Sequence, residues 1–319
     1  MIVTVTPNPS VDRTLELDHL RPGTVQRATG GRIDAGGKGV NVARALVVNG
    51  VEATAVLPLG GPDGRLLATL LEDDRIPTRG VPVGAATRSN ITLVEADGAV
   101  TKINAPGEQL AQHDLAALLA AATEELVGAR WLVGCGSLPD GAPIDLYARL
   151  VEAGRAAGAM VAIDTSGPAL AVAVDAGPDL LKPNLGELCE LVSRPLGTLD
   201  LVVGAAQELC RRGVGAVLVS LGADGAVLVD AGTAHVAGAP NVVARSDVGA
   251  GDAMLAGFLA AGAAGPNALA ASVAWGAAAV QLPGTAVPGP ADIAPLLRLV
   301  STRRVGEPDD APRPTQPAA

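Results

Sequence analysis

The sequence predicts an α/β fold in which a doubly wound, mostly parallel sheet lies between helices and a smaller sheet stands beside it. Three observations carry this. Short β-branched runs alternate with longer Ala- and Leu-rich stretches of helical period. The connections between them are short, which is the pattern of repeated strand–helix units. Two polar segments, 14–34 and 88–104, break the alternation and have too little apolar surface to be core strands.

The runs at 2–5, 54–57, 131–134, 160–163 and 216–220 are apolar throughout and read as buried strands. The stretches 40–48, 64–71, 115–127, 144–157, 201–211, 253–263 and 268–280 read as helices. The two polar segments carry turn residues such as Asp97-Gly98 and are taken together as a small β-sheet lid. One domain over 1–305 is expected to hold all of this. The Pro-rich, polar stretch 306–319 is expected to be a disordered tail.

Composition narrows the function. The chain has 319 residues, 49% of them apolar, so a large core can be buried. Its aromatic residues are Trp131, Trp275, Tyr147 and Phe258, so the core must be Ala, Val and Leu. So few rings leave no stacking platform for single-stranded nucleic acid. A net charge of −10 without a basic run also argues against a nucleic-acid partner. The odd set Cys135, Cys189 and Cys210 has no metal spacing and fits buried small hydrophobes in a reducing cytoplasm. The apolar run at 2–5 is too short for a signal sequence and lacks a basic leader. The stretches 253–264 and 268–282 are parted by Gly265-Pro266, and each is too short to span a bilayer.

The strongest motif is Asp247-Val248-Gly249-Ala250-Gly251-Asp252, followed at once by a helical run. Small residues before a helix let backbone N–H groups converge on one point, where the helix dipole is positive. Asp252 at that point can accept a proton from an attacking hydroxyl. The plainer alternative is a turn with Asp as a helix cap.

Gly36-Gly37-Lys38-Gly39-Val40-Asn41 allows close backbone approach to a ligand, with Lys38 for an anion and Asn41 for a sugar hydroxyl. It is not a P-loop, because no Ser or Thr follows the Lys. A Gly-rich loop with a solvated Lys is the alternative. Asp12 follows the first strand, where a polyol could be gripped beyond a strand's carboxyl end. Asn184 and Glu187 share one face of a starting helix and suit Mg²⁺ held through water, or else a capping arrangement. Ser220-Leu221-Gly222-Ala223-Asp224-Gly225 gives a loop that can approach a nucleotide.

In this order the motifs resemble the ribokinase-like (PfkB) family of carbohydrate kinases, from Ile2 to about Leu299. The resemblance implies ATP-dependent phosphoryl transfer with Asp252 as base and the amides of Gly249, Ala250 and Gly251 as anion hole. It implies Mg²⁺ at Asn184 and Glu187, with Lys182, Ser220, Gly222, Gly225 and Gly251 around the nucleotide. Asp247 would help to hold a monovalent cation such as K⁺. The adenine pocket is expected between the 222–245 and 270–285 regions.

Arg88, Asn90, Lys102 and Ser137 resemble the phosphate contacts of the branch that accepts phosphorylated sugars. Lys38 in particular is similar to the 1-phosphofructokinase and tagatose-6-phosphate kinase branch. Asp12, Gly36, Gly37, Lys38, Asn41, Arg88, Asn90, Lys102 and Ser137 would then hold a ketohexose monophosphate. Fructose 1-phosphate is the first candidate, and tagatose 6-phosphate or fructose 6-phosphate the alternatives. Ala253 departs from the Ser that many relatives have after the base. The family also implies a homodimer through the lid. A nicotinamide-dependent oxidoreductase is set aside, because the first strand–helix turn lacks Gly-x-Gly-x-x-Gly. A non-catalytic sugar-phosphate sensor would not need Asp252, Asn184 and Glu187 together.

Overall fold

The computed structural model describes residues 1–230 and 232–306. In chain order the elements are β1 (Ile2–Val5), β2 (Ser10–Leu17), β3 (Gly30–Gly36), α1 (Lys38–Val48), β4 (Ala53–Leu59), α2 (Gly61–Asp73), β5 (Thr78–Pro82), β6 (Arg88–Glu95), β7 (Val100–Ile103), α3 (Gln112–Glu124), β8 (Trp131–Cys135) and α4 (Leu146–Ala156). There follow β9 (Met160–Asp164), α5 (Gly167–Asp175), β10 (Leu180–Leu181), α6 (Leu185–Leu191), α7 (Leu199–Arg211), β11 (Ala216–Ser220), β12 (Ala226–Asp230), β13 (Ala234–Ala237), α8 (Ala250–Ala260), α9 (Gly265–Ala279), α10 (Pro290–Leu297) and β14 (Thr302–Arg304). The tail expected from residue 306 lies, beyond Gly306, outside the described residues.

Among the described residues the main sheet has ten strands in the order β14-β13-β12-β11-β10-β9-β8-β1-β4-β5. From β11 to β5 every pairing is parallel. The β12, β13 and β14 strands are added antiparallel at one edge. Successive side chains of a strand face opposite layers. Thus Trp131, Val133 and Cys135 of β8 join α1, α2, α8, α9 and α10 in one layer. Leu132 joins α3, α4, α5 and α7 in the other. Both faces are covered, which is why these strands read as unbroken apolar runs. The β10 strand has two residues, too few for a period to show in the sequence.

The segments taken as a lid form a separate four-stranded sheet in the order β3-β2-β6-β7. Its β2 strand starts at Ser10, four residues before the expected start of the lid, so Asp12 stands on this sheet. The register puts Asp12 beside Asp34 and Asn90 on one face. The next row, on the other face, runs Ile33, Arg13, Ile91 and Ile103. The inner face is polar and the outer one apolar. Arg13 ties the small sheet to Asp63 of α2 at 2.8 Å, and Lys102 ties it to Asp247 at 2.5 Å.

The strand order reverses at the β8–β1 pair, so the loops that follow these strands diverge and open a crevice. Helices α8 and α9 pack closely behind it. A Cβ on Gly257 of α8 would lie 2.6 Å from Trp275 Cγ and 2.9 Å from Ala271 O, both on α9. Gly257→Ala is therefore expected to destabilise the fold by about 1–3 kcal/mol, read as a lower urea midpoint. An unchanged midpoint would mean that α9 can shift freely against α8.

Candidate active site

Helix α8 begins at a left-handed glycine. Gly249 caps it at φ 76°, a conformation that side chains disfavour. The first-turn N–H groups have no partner inside the helix and point, with its positive dipole end, into the crevice. Asp252, in that first turn, is buried. Its Oδ2 accepts a hydrogen bond of 2.8 Å from Asn41 Nδ2. Asn41 sits on α1, so this bond joins the starts of two helices. Asn41 Oδ1 is buried with no hydrogen-bond partner among the described residues, and so is available to a ligand hydroxyl.

Beside this pair lies a buried ion cluster. Asp164, at the end of β9, is fully buried. Lys38 Nζ donates to its Oδ1 at 2.7 Å, and Lys182 Nζ lies 3.0 Å from its Oδ2. Glu187 Oε1 is 3.8 Å from Lys38 Nζ. Burial alone would raise the Asp164 pKa, but the charges of Lys182 and Lys38 outweigh it and hold the carboxyl below its ordinary value. Burial likewise opposes the charge on Lys38, and the carboxylates of Asp164, Asp252 and Glu187 overcome it and raise its pKa. Asp252 goes the other way. Burial and the nearby Asp164 charge push it up to about 6, although Lys38, Asn41 and Lys182 work against the shift.

On the small sheet, Asp12 Oδ1 accepts from Ser10 Oγ at 2.7 Å and from Asn90 Nδ2 at 2.9 Å. A Cβ on Gly36 would collide with the Asp12 carboxylate, so only glycine lets β3 lie this close. Gly37 caps α1, and Lys38 is the first residue of that helix. The Arg88 guanidinium is taken up by backbone carbonyls, Ala105 at 2.8 Å and Asn8 at 3.0 Å. Asn8 in turn donates to Ser137 Oγ at 3.2 Å. Arg88 thus ties the two sheets together next to Ser137. Lys102 is turned to Asp247, away from Asp12. The Asp247 carboxylate, 86% exposed, is paired with this lysine.

A cavity of about 750 Å³ opens on the other side of the nest. The loop after β11 lines it with Ser220, Gly222 and Gly225, and α9 lines it with Val273, Gly276, Ala277 and Val280. Asn184, Asp247, Ala250 and Gly251 form its rim toward Asp252. Its size and mainly apolar wall suit a flat heterocycle with polar groups at one end. The wall comes from the two regions where the adenine pocket was expected. Lys182, expected on this wall, is instead buried against Asp164, and a Cβ on Gly251 would stand 3.4 Å from its Nζ.

Asn184 and Glu187 form a capping box. Glu187 N donates to Asn184 Oδ1 and Asn184 N to Glu187 Oε2, both at 2.8 Å. That leaves Glu187 Oε1 as the open acid oxygen. One such oxygen fits a water of a hydrated Mg²⁺ carried by phosphates, not direct ligation of the ion. Among the described residues no group of three or more His, Cys, Asp or Glu could hold a metal ion. Nor is any helix among them long and apolar enough to cross a membrane.

The sequence reasoning passed over Asp164. Its signal was there: an acid at the carboxyl end of an expected parallel strand, followed by Thr165-Ser166-Gly167.

Comparison with known proteins agrees with this architecture. The pattern of the pfkB family of carbohydrate kinases matches residues 6–292. The chain is 40% identical over 309 residues to 1-phosphofructokinase of Rhodobacter capsulatus, covering 95% of this chain and 97% of that one. It is 37% identical over 290 residues to ATP-dependent 6-phosphofructokinase isozyme 2 of Escherichia coli, covering 89% and 94%. The crystal structure of phosphofructokinase-2 from Escherichia coli in complex with potassium superposes with a TM-score of 0.87 at 34% identity, covering 93% and 98%. The crevice, the nest and the sheet order therefore have a family: this chain belongs to the pfkB carbohydrate kinases and is a phosphotransferase.

Proposed function

We propose that this chain moves the γ-phosphoryl group of ATP to a terminal hydroxyl of a ketohexose monophosphate, with fructose 1-phosphate as preferred acceptor and O6 as attacking atom. The observation that carries the proposal is Asp252, a buried carboxylate in the first turn of α8, standing beside unpaired amides. The nucleotide would occupy the 750 Å³ cavity, with its phosphates toward Gly249, Ala250 and Gly251. The sugar would lie between Asp252 and the Asp12–Asn90 group, near Gly36 and Gly37, with the free Oδ1 of Asn41 accepting a hydrogen bond from a sugar hydroxyl. Its phosphate would meet Arg88, Ser137 and Lys102, the last released from Asp247.

Asp252 would take the proton of the attacking hydroxyl while the amides of the nest bear the charge of the transferring group. Mg²⁺, held through water by Glu187 and Asn184, would neutralise phosphate charge. A monovalent cation, which Asp247 would help to hold once released from Lys102, belongs to the same proposal, supported by the likeness to the potassium complex.

The choice of sugar follows from symmetry and charge. Furanose fructose has a CH₂–O group at each end of its ring. A phosphate at one end can dock at Arg88 while the other end meets Asp252. Fructose 6-phosphate and tagatose 6-phosphate can enter reversed. Likeness to 1-phosphofructokinase of Rhodobacter capsulatus over almost the whole chain favours fructose 1-phosphate. A second copy of the chain is the proposed partner, on the apolar outer face where Leu15, Ile33, Ile91 and Ile103 are exposed. The compartment proposed is the cytoplasm.

Fructose 1-phosphate is expected to give the highest kcat/KM in a coupled assay of the three sugars at fixed Mg-ATP. A higher value for either other sugar would change the substrate and leave the kinase chemistry standing. Asp252→Asn is expected to lose turnover by roughly 10²–10⁴-fold while still binding both ligands. The base works deprotonated, so activity is lost as pH falls through its pKa of about 6 and is flat above it. The limb is read in kcat at saturating sugar phosphate, whose own second ionisation also lies near ~6. A profile flat down to about pH 5 would remove Asp252 from this role.

A further inference from the structure

Lys38 was expected to meet the phosphate that the sugar brings with it. The structure puts its ammonium elsewhere. Lys38 Nζ lies 2.7 Å from Asp164 Oδ1 and 3.8 Å from Glu187 Oε1. The groups proposed for the sugar phosphate, Arg88 and Ser137, are bonded to the loop carbonyls and to Asn8 instead. Glu187 is in the first turn of the helix whose start lines the nucleotide cavity, and Asn41, one turn along α1 from Lys38, is bonded to Asp252. Lys38 Nζ is therefore near enough to the proposed base to feel its charge, and 3.8 Å from the helix whose first residues line the nucleotide cavity. In the kinase reading the transferred group passes between those two places.

A lysine on a four-carbon stem does not hold such a position unaided. Asp164 supplies the anchor. It is fully buried at the end of a central strand and pairs one ammonium with each oxygen, Lys38 with Oδ1 and Lys182 with Oδ2. Lys38 and Lys182 together answer Asp164 and, at a longer distance, Glu187, and the Lys38 ammonium is the positive group held at a site where negative charge develops. A charge fixed in advance costs no reorganisation at the moment of reaction.

We propose that Lys38 is a catalytic residue that stabilises the phosphoryl group in transit, and that Asp164 is the positioning residue that holds it there. This rests on the kinase reading of the site. Turnover by the wild-type chain tests that reading, and the variants below test this one.

Lys38→Met should lower kcat on the order of 10²–10³-fold at saturating Mg-ATP and fructose 1-phosphate. Its KM for the sugar, and its calorimetric Kd for fructose 1-phosphate without nucleotide, should move less than about threefold. An intact kcat with the sugar Kd weakened about tenfold or more would put Lys38 on the resident phosphate and overturn the proposal. Asp164→Asn should lose kcat to a similar degree. In the Lys38→Met background the same change should cost little more, because both act through one ammonium. Losses that multiply would overturn the positioning role. Should Asp164→Asn fail to fold, Asp164→Glu keeps the charge on a longer arm and tests the same point. It should lower kcat with the sugar Kd unchanged, and an unchanged kcat would sink the positioning role.

Discussion

Water does not reach Asp164, and a carboxylate in such a place must be answered by charge. Taking an ion out of water costs several kcal/mol, and removing one partner of a buried pair costs about 3–5 kcal/mol. The answer comes from separate parts of the chain. The β9 strand ends in the carboxylate, Lys182 follows the neighbouring β10 strand, and Lys38 opens α1. The backbone is drawn into the same knot, since Lys182 N donates to Ile163 O at 3.0 Å and Gly136 N to Asp164 O at 2.9 Å. With α1 fixed against the sheet, Asn41 on its next turn reaches Asp252 and so fixes the start of α8. The charge that would be a liability elsewhere in a core thus aligns two helix ends with three strand ends. Together with burial, which acts more strongly, it also raises the pKa of Asp252, the proposed base.

Much of this was legible in the chain. Val217, Leu218 and Val219 are buried on both sides of the sheet, and so leave an unbroken apolar run. Gly249-Ala250-Gly251-Asp252 announces a helix start because small residues and an acid have a local reason to be there. What stayed hidden depends on partners far away in sequence. Nothing near Asp164 says that it will meet Lys38 across 126 positions. Arg88 reads as an anion contact, and its bonds to two carbonyls follow from how the linking segments happen to run. Glu187 reads equally as a metal ligand or a cap, and one side chain does the capping while offering its second oxygen to the crevice.

The small sheet owes its two faces to a period of two in a segment too polar for the core. Its inner row offers Asp12 and Asn90 to the crevice, held in place by Ser10 and the close approach of Gly36. The outer row leaves Ile33, Ile91 and Ile103 exposed among the described residues. Its ties to the main body are of a kind that can exchange. Arg13–Asp63 and Lys102–Asp247 are surface ion pairs, worth little each and weakened by salt. At the sheet's near end, by contrast, Val11 and Ala35 are buried in the core of the main body and Arg88 holds the linking segments.

Helix α9 serves two neighbours at once. Val273, Gly276, Ala277 and Val280 line the large cavity, while Trp275 lies against α8 at Gly257, two turns from the nest. The chain has two tryptophans, and the other, Trp131, is buried in β8 at the start of the strand, away from the crevice end of the sheet. Indole emission follows the packing and polarity around the ring. The scarcity of aromatic residues, which made the core so plain to read, therefore leaves the protein with a nearly private optical signal for the contact between the helix that bears the nest and the helix that walls the cavity.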